Sequence, residues 1–121
     1  SLPCQKPPWG RLSAVDTETG ELVWQQALGV TESLPAGRQN TGRPGRAGAL
    51  VTASNLLFIA ATDDNRFRAL EASSGRQLWE TGLAGRGNAN PMTFLGRDGR
   101  QYLMIAATDR LVAFRLPEAL L

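Results

Sequence analysis

The sequence has no histidine and only one cysteine, and these two shortages exclude whole classes of site. Without histidine, the chain itself can hold neither a Ser-His-Asp nor a Cys-His catalytic system, and no histidine-based metal site. The single Cys4 excludes an internal disulfide. We expect Cys4 either to be a buried apolar residue or to pair with a segment outside this sequence.

Lysine is nearly absent, and no apolar run is long enough to cross a membrane. Twelve of the 13 cationic residues are arginines, they are scattered along the chain, and the net charge is only +2. A nucleic-acid-binding domain normally concentrates its cations in one patch, so we expect no nucleic-acid partner. The 121 residues, 42% of them hydrophobic, suffice for one packed domain.

Two self-matches show that the chain is built from repeats. Ile59–Asp63 recurs letter for letter as Ile105–Asp109, 46 residues later. Ala14–Trp24 and Ala69–Trp79 share the pattern Ala-x-acid-x-x-x-Gly-x-x-x-Trp at a distance of 55 residues. A third copy begins at Ala113. Periods of this length are typical of β-propeller blades, which take about 40–50 residues each.

Short apolar runs separated by Gly- and Asn-containing turns predict strands throughout, and no window predicts an amphipathic helix. The fold class is therefore all-β, a partial β-propeller of about two blades of four-stranded antiparallel sheet. We expect a half blade at 11–28, a full blade at 47–84 and an incomplete last blade at 89–116. In each repeat we expect the Trp, at 24 and 79, to be buried against the backbone of the adjacent blade.

Longer motifs resemble one enzyme family. Pro3–Leu12, Asn40–Gly45, Leu57–Ala69 and Pro91–Phe94 are similar to the C-terminal end of membrane-bound quinoprotein glucose dehydrogenases, a group with relatives that act on quinate and polyols. The resemblance covers nearly the whole chain and implies an eight-bladed propeller with pyrroloquinoline quinone (PQQ) in a central funnel. On this basis we expect the sequence to be a piece of a longer protein.

The resemblance also implies a reaction and its partners. Such enzymes oxidise sugars or alcohols at the periplasmic face of the bacterial inner membrane and pass electrons to ubiquinone. Their catalytic carboxylate, most PQQ contacts and the calcium or magnesium ligands belong to earlier blades. We therefore expect no catalytic residue and no metal-binding residue in this chain. The chain alone should be inactive, and its partners should be the remaining blades of the propeller. With two blade faces uncovered, it should also self-associate.

The candidate cofactor contacts are Arg46 and Ala47. The stretch from Thr31 to Gly48 is long for a loop without secondary structure, and such loops are commonly functional or disordered. Arginine binds carboxylates through paired hydrogen bonds. The resemblance implies that the residue at the position of Arg46 lies beside the cofactor. The alternative is a solvated basic loop. The family commonly has Gly-Gly where this chain has Ala47-Gly48, and a Gly-rich excursion where Thr108–Arg110 forms a direct turn.

The sequence leaves three other interpretations open. Asp63–Asn65 offers clustered oxygens for a cation, but lacks the spacing of a calcium loop, so a polar turn is the better hypothesis. The whole chain could instead belong to a non-catalytic propeller scaffold that binds proteins, or form a free-standing small β domain. The motifs at 3–10 and 40–45 favour the dehydrogenase, because a scaffold has no evident use for them.

Overall fold

The computed structural model describes residues 2–117, and all the regular elements in that range are β-strands. No helix in this part of the chain could cross a membrane. The nine strands are β1 (Arg11–Val15), β2 (Leu22–Ala27), β3 (Leu50–Val51), β4 (Leu56–Ile59), β5 (Arg66–Glu71), β6 (Gln77–Gly82), β7 (Met92–Leu95), β8 (Gln101–Ala107) and β9 (Arg110–Arg115).

The strands form three separate antiparallel sheets in chain order: β1-β2, then β3-β4-β5-β6, then β7-β8-β9. Within each sheet, consecutive strands pair with one another, which is a meander. The all-β prediction is confirmed.

The four-stranded sheet lies between the other two and packs against both. On one face, the buried residues Phe58, Phe67 and Ala69 cluster with Leu103 and Ile105 of the three-stranded sheet. On the other face, a second cluster joins Leu57, Ile59 and Leu70 to Leu28, with Leu12 of the two-stranded sheet packed against it. Because each face of the central sheet is covered, β4 is buried at every position. Face-to-face stacking of successive sheets is the arrangement of a propeller.

The two copies of the Trp motif fold in the same way. Ala14 pairs with Trp24, Ala69 pairs with Trp79, and in both copies the register shifts immediately after the alanine. Each turn contains a glycine with positive φ, 76° at Gly20 and 79° at Gly75. Only glycine adopts this conformation without steric cost. The shared spacing of the motif thus corresponds to one hairpin with one β-bulge.

The two tryptophans differ in what they contact. The indole Nε1–H of Trp24 donates a 2.9 Å hydrogen bond to the carbonyl of Ala72 in the next sheet, and its ring lies against Gly75. Trp79 meets the rings of Phe67 and Phe114 edge-on and remains 37% exposed. Trp24 thus makes the expected contact with the backbone of the adjacent sheet, but its side chain is half-buried rather than buried. The expected burial of Trp79 is wrong, because the described residues of the third sheet present no equivalent of the Ala72–Gly75 turn.

The first strand of the central sheet, β3, is only two residues long, because the preceding Gly48 amide donates to the Asn90 side chain at 2.6 Å instead of joining the ladder. Cys4 is exposed and free, so the buried alternative is wrong.

Candidate cofactor-contact site

Residues 28–48, here called the arch, leave the two-stranded sheet and return to the start of β3. The arch is closed at its base by backbone hydrogen bonds from Gly42 to Gly29, 3.0 Å, and from Arg43 to Leu28, 2.7 Å. Within it, the buried hydroxyls of Thr31 and Thr41 lie 2.7 Å apart. The segment 29–42 within the arch is thus a compact excursion with joined ends, the form of an Ω-loop.

The last part of the arch lies antiparallel to the end of β4. Gly45 forms an isolated bridge with Thr62, and the amide of Arg46 donates to the carbonyl of Ala61 at 3.1 Å. These contacts extend the β3–β4 pairing past the ends of the regular strands. They fix the backbone of Arg46 just before the first strand of the central sheet.

The side chain of Arg46 is exposed, and among residues 2–117 its guanidinium makes no hydrogen bond or ion pair. Ala47 is half-buried and packs against the apolar cluster around Leu57. Gly45 and Gly48 flank the pair and add no side-chain bulk. A free cation on a fixed backbone, between small residues, can accept a flat anionic ligand.

Arg43 is not available for such a role. Its Nε and Nη2 atoms bind Oδ1 and Oδ2 of Asp63 at 2.7 and 2.9 Å, a bidentate pair. The hydrogen bond from Arg43 lowers the pKa of Asp63, although partial burial opposes this shift. The same pairing raises the pKa of Arg43. The arch contains three arginines, of which Arg43 is engaged by Asp63, whereas Arg38 and Arg46 are exposed.

Asp64 is held by a buried arginine. Arg68 is 3% exposed, and its Nη2 lies 2.5 Å from Oδ2 of Asp64. Asp64 also accepts hydrogen bonds from the hydroxyl of Thr62 and the amide of Val30. Burial by itself raises the pKa of Asp64, but these hydrogen bonds outweigh it, and the pKa lies below its ordinary value. On its other side, Arg68 reaches Glu80 at 3.1 Å.

The Asp63–Asn65 segment is a polar turn between β4 and β5, as we expected in preference to a cation site. Asn65 in this turn has φ of 57°. Asp63 and Asp64 are each paired with an arginine, so both are engaged as structural anions. In the part of the chain that the structure describes, no group of three acidic or cysteine residues could hold a metal ion.

Sequence reasoning missed two contacts between loops that are distant in sequence. Asn90 caps the Gly48 amide, and the backbone of Thr108 donates to the carbonyl of Arg86 at 3.1 Å while its hydroxyl accepts from the Arg86 amide. Thr108 has φ of 60°, unusual for a β-branched residue. Each of these pairs joins residues 22 or more positions apart. No local pattern could have revealed them.

Comparison with known families defines the class of protein. Residues 1–103 match the PQQ family described as "Glucose/ethanol/alcohol dehydrogenase, beta-propeller domain". The chain belongs to this family of PQQ-dependent dehydrogenase propellers.

Among individual relatives, the chain is 40% identical to the quinoprotein glucose dehydrogenase of Escherichia coli and 39% identical to quinoprotein glucose dehydrogenase A of Acinetobacter calcoaceticus. It is 34% identical to a probable quinate dehydrogenase (quinone) of Xanthomonas campestris. These alignments cover 97–98% of the chain but only 16–17% of each relative. The chain thus spans about a sixth of the curated relatives it matches.

Solved structures agree with this assignment. A europium-containing methanol dehydrogenase matches with a TM-score of 0.64 and 30% identity, over 83% of this chain and 15% of that one. BamB from Moraxella catarrhalis matches with a TM-score of 0.55 and 21% identity, over 87% of this chain and 31% of that one. The second match shows a shared fold alone. The prediction of a quinoprotein dehydrogenase segment is confirmed, and the scaffold alternative gains no further support.

Proposed function

We propose that the chain forms part of the propeller of a PQQ-dependent dehydrogenase that oxidises glucose or a related sugar, polyol or quinate. Electrons pass to ubiquinone, and the enzyme lies at the periplasmic face of the bacterial inner membrane. The family match and the names of the relatives support this proposal. The observation that carries it at residue level is the unpaired guanidinium of Arg46 on a fixed backbone.

Arg46 and Ala47 would contact PQQ, a flat molecule with three carboxylates. The residues fit this group, because Arg46 offers paired donors for a carboxylate and its small neighbours let a planar ring approach. When bound, PQQ supplies the two-electron acceptor for alcohol oxidation. The role of this chain's own residues is to bind and orient: Arg46 through its charge, and Ala47 through its packed methyl group beside the fixed backbone.

The domain boundaries follow from the same proposal. The segments 11–28, 47–84 and 89–116 would be a half blade, a full blade and an incomplete last blade. Trp24 would act as a blade-docking residue, since its indole binds the turn of the next sheet. The partners would be the remaining blades. These would also supply the catalytic carboxylate and the ligands of a calcium or magnesium ion.

A graft into a relative tests the proposal. Residues 2–117 replace the matching segment of the Escherichia coli quinoprotein glucose dehydrogenase, and PQQ-dependent dye reduction with glucose is measured. We expect the graft to retain PQQ-dependent turnover, while the 121-residue chain alone shows none above a control without protein. A graft that folds but never binds PQQ, or turnover by the chain alone, would contradict the proposal.

A further inference from the structure

Two adjacent carboxylates on the β4–β5 turn hold opposite ends of the arch. Asp63 binds Arg43, three residues before Arg46, through two hydrogen bonds of 2.7 and 2.9 Å. Asp64 accepts a 2.9 Å hydrogen bond from the amide of Val30, near the beginning of the arch. The two ends of the arch are therefore attached to one rigid turn of the neighbouring sheet.

Few other contacts hold the backbone at Arg46. Between β2 and β3 the described chain contains no strand, and the Arg46 backbone has one hydrogen bond, to Ala61, beside the isolated bridge of Gly45. An isolated bridge opens easily unless flanking contacts hold it closed. Arg43 and Asp63 provide the flanking contact on one side.

The β4–β5 turn is itself held in place by contacts with β5 and β6. Arg68 on β5 is buried and binds Asp64, Thr62 and Glu80. A buried guanidinium keeps its partners in place because leaving it unpaired is costly. Asp64 is thus oriented by Arg68 through contacts that do not involve the arch.

We propose that Asp63 and Asp64 are positioning residues for Arg46: by fixing both ends of the arch, they present the Arg46 guanidinium to a carboxylate of the cofactor. This inference rests on the proposed function for the identity of the ligand. The attachment of the arch, however, can be measured without any ligand.

A matched control is present in the same loop. Glu32 also pairs with β5, through Arg66, but the Glu32 side chain is 68% exposed. Exposed ion pairs contribute little to a fixed geometry. Glu32→Gln removes one charge from the arch, as Asp63→Asn removes one from the turn, and should leave Arg46 in place.

The first test is amide hydrogen exchange in the 121-residue chain. In Asp63→Asn, the amides of Arg43 and Arg46 should exchange about tenfold faster than in the wild type, while Glu32→Gln should match the wild type. Asp64→Asn should release the Val30 amide. If Asp64→Asn does not fold, because Arg68 loses its partner, Asp63→Asn and Arg43→Gln still decide the question. Unchanged exchange at Arg46 in both would overturn the inference.

The second test is a double-mutant cycle for PQQ affinity in the graft. Arg46→Gln and Asp63→Asn should each weaken PQQ binding, and the double variant should be no weaker than Arg46→Gln alone. Independent, additive losses would show that Asp63 does not act through Arg46, and would overturn the inference. A wild-type graft that fails to bind PQQ would instead contradict the proposed function, and the exchange rates alone would then decide whether the carboxylates hold Arg46.

Discussion

Gly75 is the residue against which the Trp24 ring of the neighbouring sheet packs. It has φ of 79°, and a Cβ added there would lie 2.8 Å from the Trp24 ring. Gly20 occupies the same position in the other hairpin with φ of 76°, but a Cβ there meets nothing within 4 Å. The two glycines thus share their conformation and differ in whether a neighbouring sheet covers them.

This pair provides a matched test of the Trp24 contact. Gly20→Ala should lower the free energy of unfolding by about 1 kcal/mol, the cost of a left-handed alanine. Gly75→Ala should cost about 2–4 kcal/mol, because steric displacement of the indole is added to the same strain. Urea titration of both variants measures the difference. Equal costs would show that Trp24 does not pack on the Gly75 turn.

Acid should loosen the arch, because both carboxylates that hold it have lowered pKa values. A carboxylate whose pKa is lower in the folded state than in the unfolded state stabilises the fold. This stabilisation is complete above the unfolded-state pKa and is lost as the pH falls through the folded-state pKa. The charged groups that act on Asp63 are Arg43, Arg86 and Asp64, whereas Asp64 faces the buried Arg68.

The expected outcome is a stability that falls below about pH 4. Asp63→Asn should be less stable than the wild type at pH 7 and should lose less on acidification, so the two curves converge at low pH. Urea titrations from pH 7 to pH 2 measure this. Parallel curves would mean that Asp63 contributes no pH-dependent stability.

At the scale of elements, the strands and hairpins were predictable and their ends were not. The Ala-to-Trp spacing predicts the pairs Ala14–Trp24 and Ala69–Trp79. The glycine fixes the position of the turn, and the alternation of apolar and polar residues then allows only one register of the two strands. The start of β3 depends on the side chain of Asn90, 42 residues away. The Arg43–Asp63 pair likewise joins two elements that no short pattern connects. Arg46 and Ala47 came from family resemblance, while the residues that hold them in place became visible only in the structure.

The outer sheets leave apolar surface uncovered, and this should make the isolated chain self-associate. Val15, Leu22 and Val23 are all more than half exposed on the two-stranded sheet. Among the described residues, β9 pairs only with β8, and Leu111 on it is 70% exposed. Unpaired strand edges and apolar faces invite a second chain.

Light scattering across a concentration series measures this association. The mass should rise above that of a monomer toward hundreds of micromolar. Leu111→Lys should reduce the rise by placing a charge on the edge strand, whereas Arg97→Lys, in the exposed turn after β7, should not. A constant monomer mass would show that these surfaces do not associate.

At the scale of the whole molecule, the three sheets stack as successive parts of one propeller. Antiparallel strands place the starts of β3 and β7 at one end of the stack, where Gly48 meets Asn90, and the turn containing Arg97 at the other end. Arg46, the β4–β5 turn and Thr108 share the first end. A ligand bound there would meet Arg46 and would not meet Arg97, although both are exposed arginines.

The most direct measurement of the central claim is the PQQ affinity of the graft with each of these arginines changed. Arg46→Gln should weaken PQQ binding about 10- to 100-fold, since a charge-assisted hydrogen-bonded pair contributes about 1.5–3 kcal/mol. Arg97→Gln, at the opposite end, should leave the affinity within about twofold of the wild-type graft. Equal affinities for the wild type and Arg46→Gln would show that this chain does not use Arg46 to hold the cofactor.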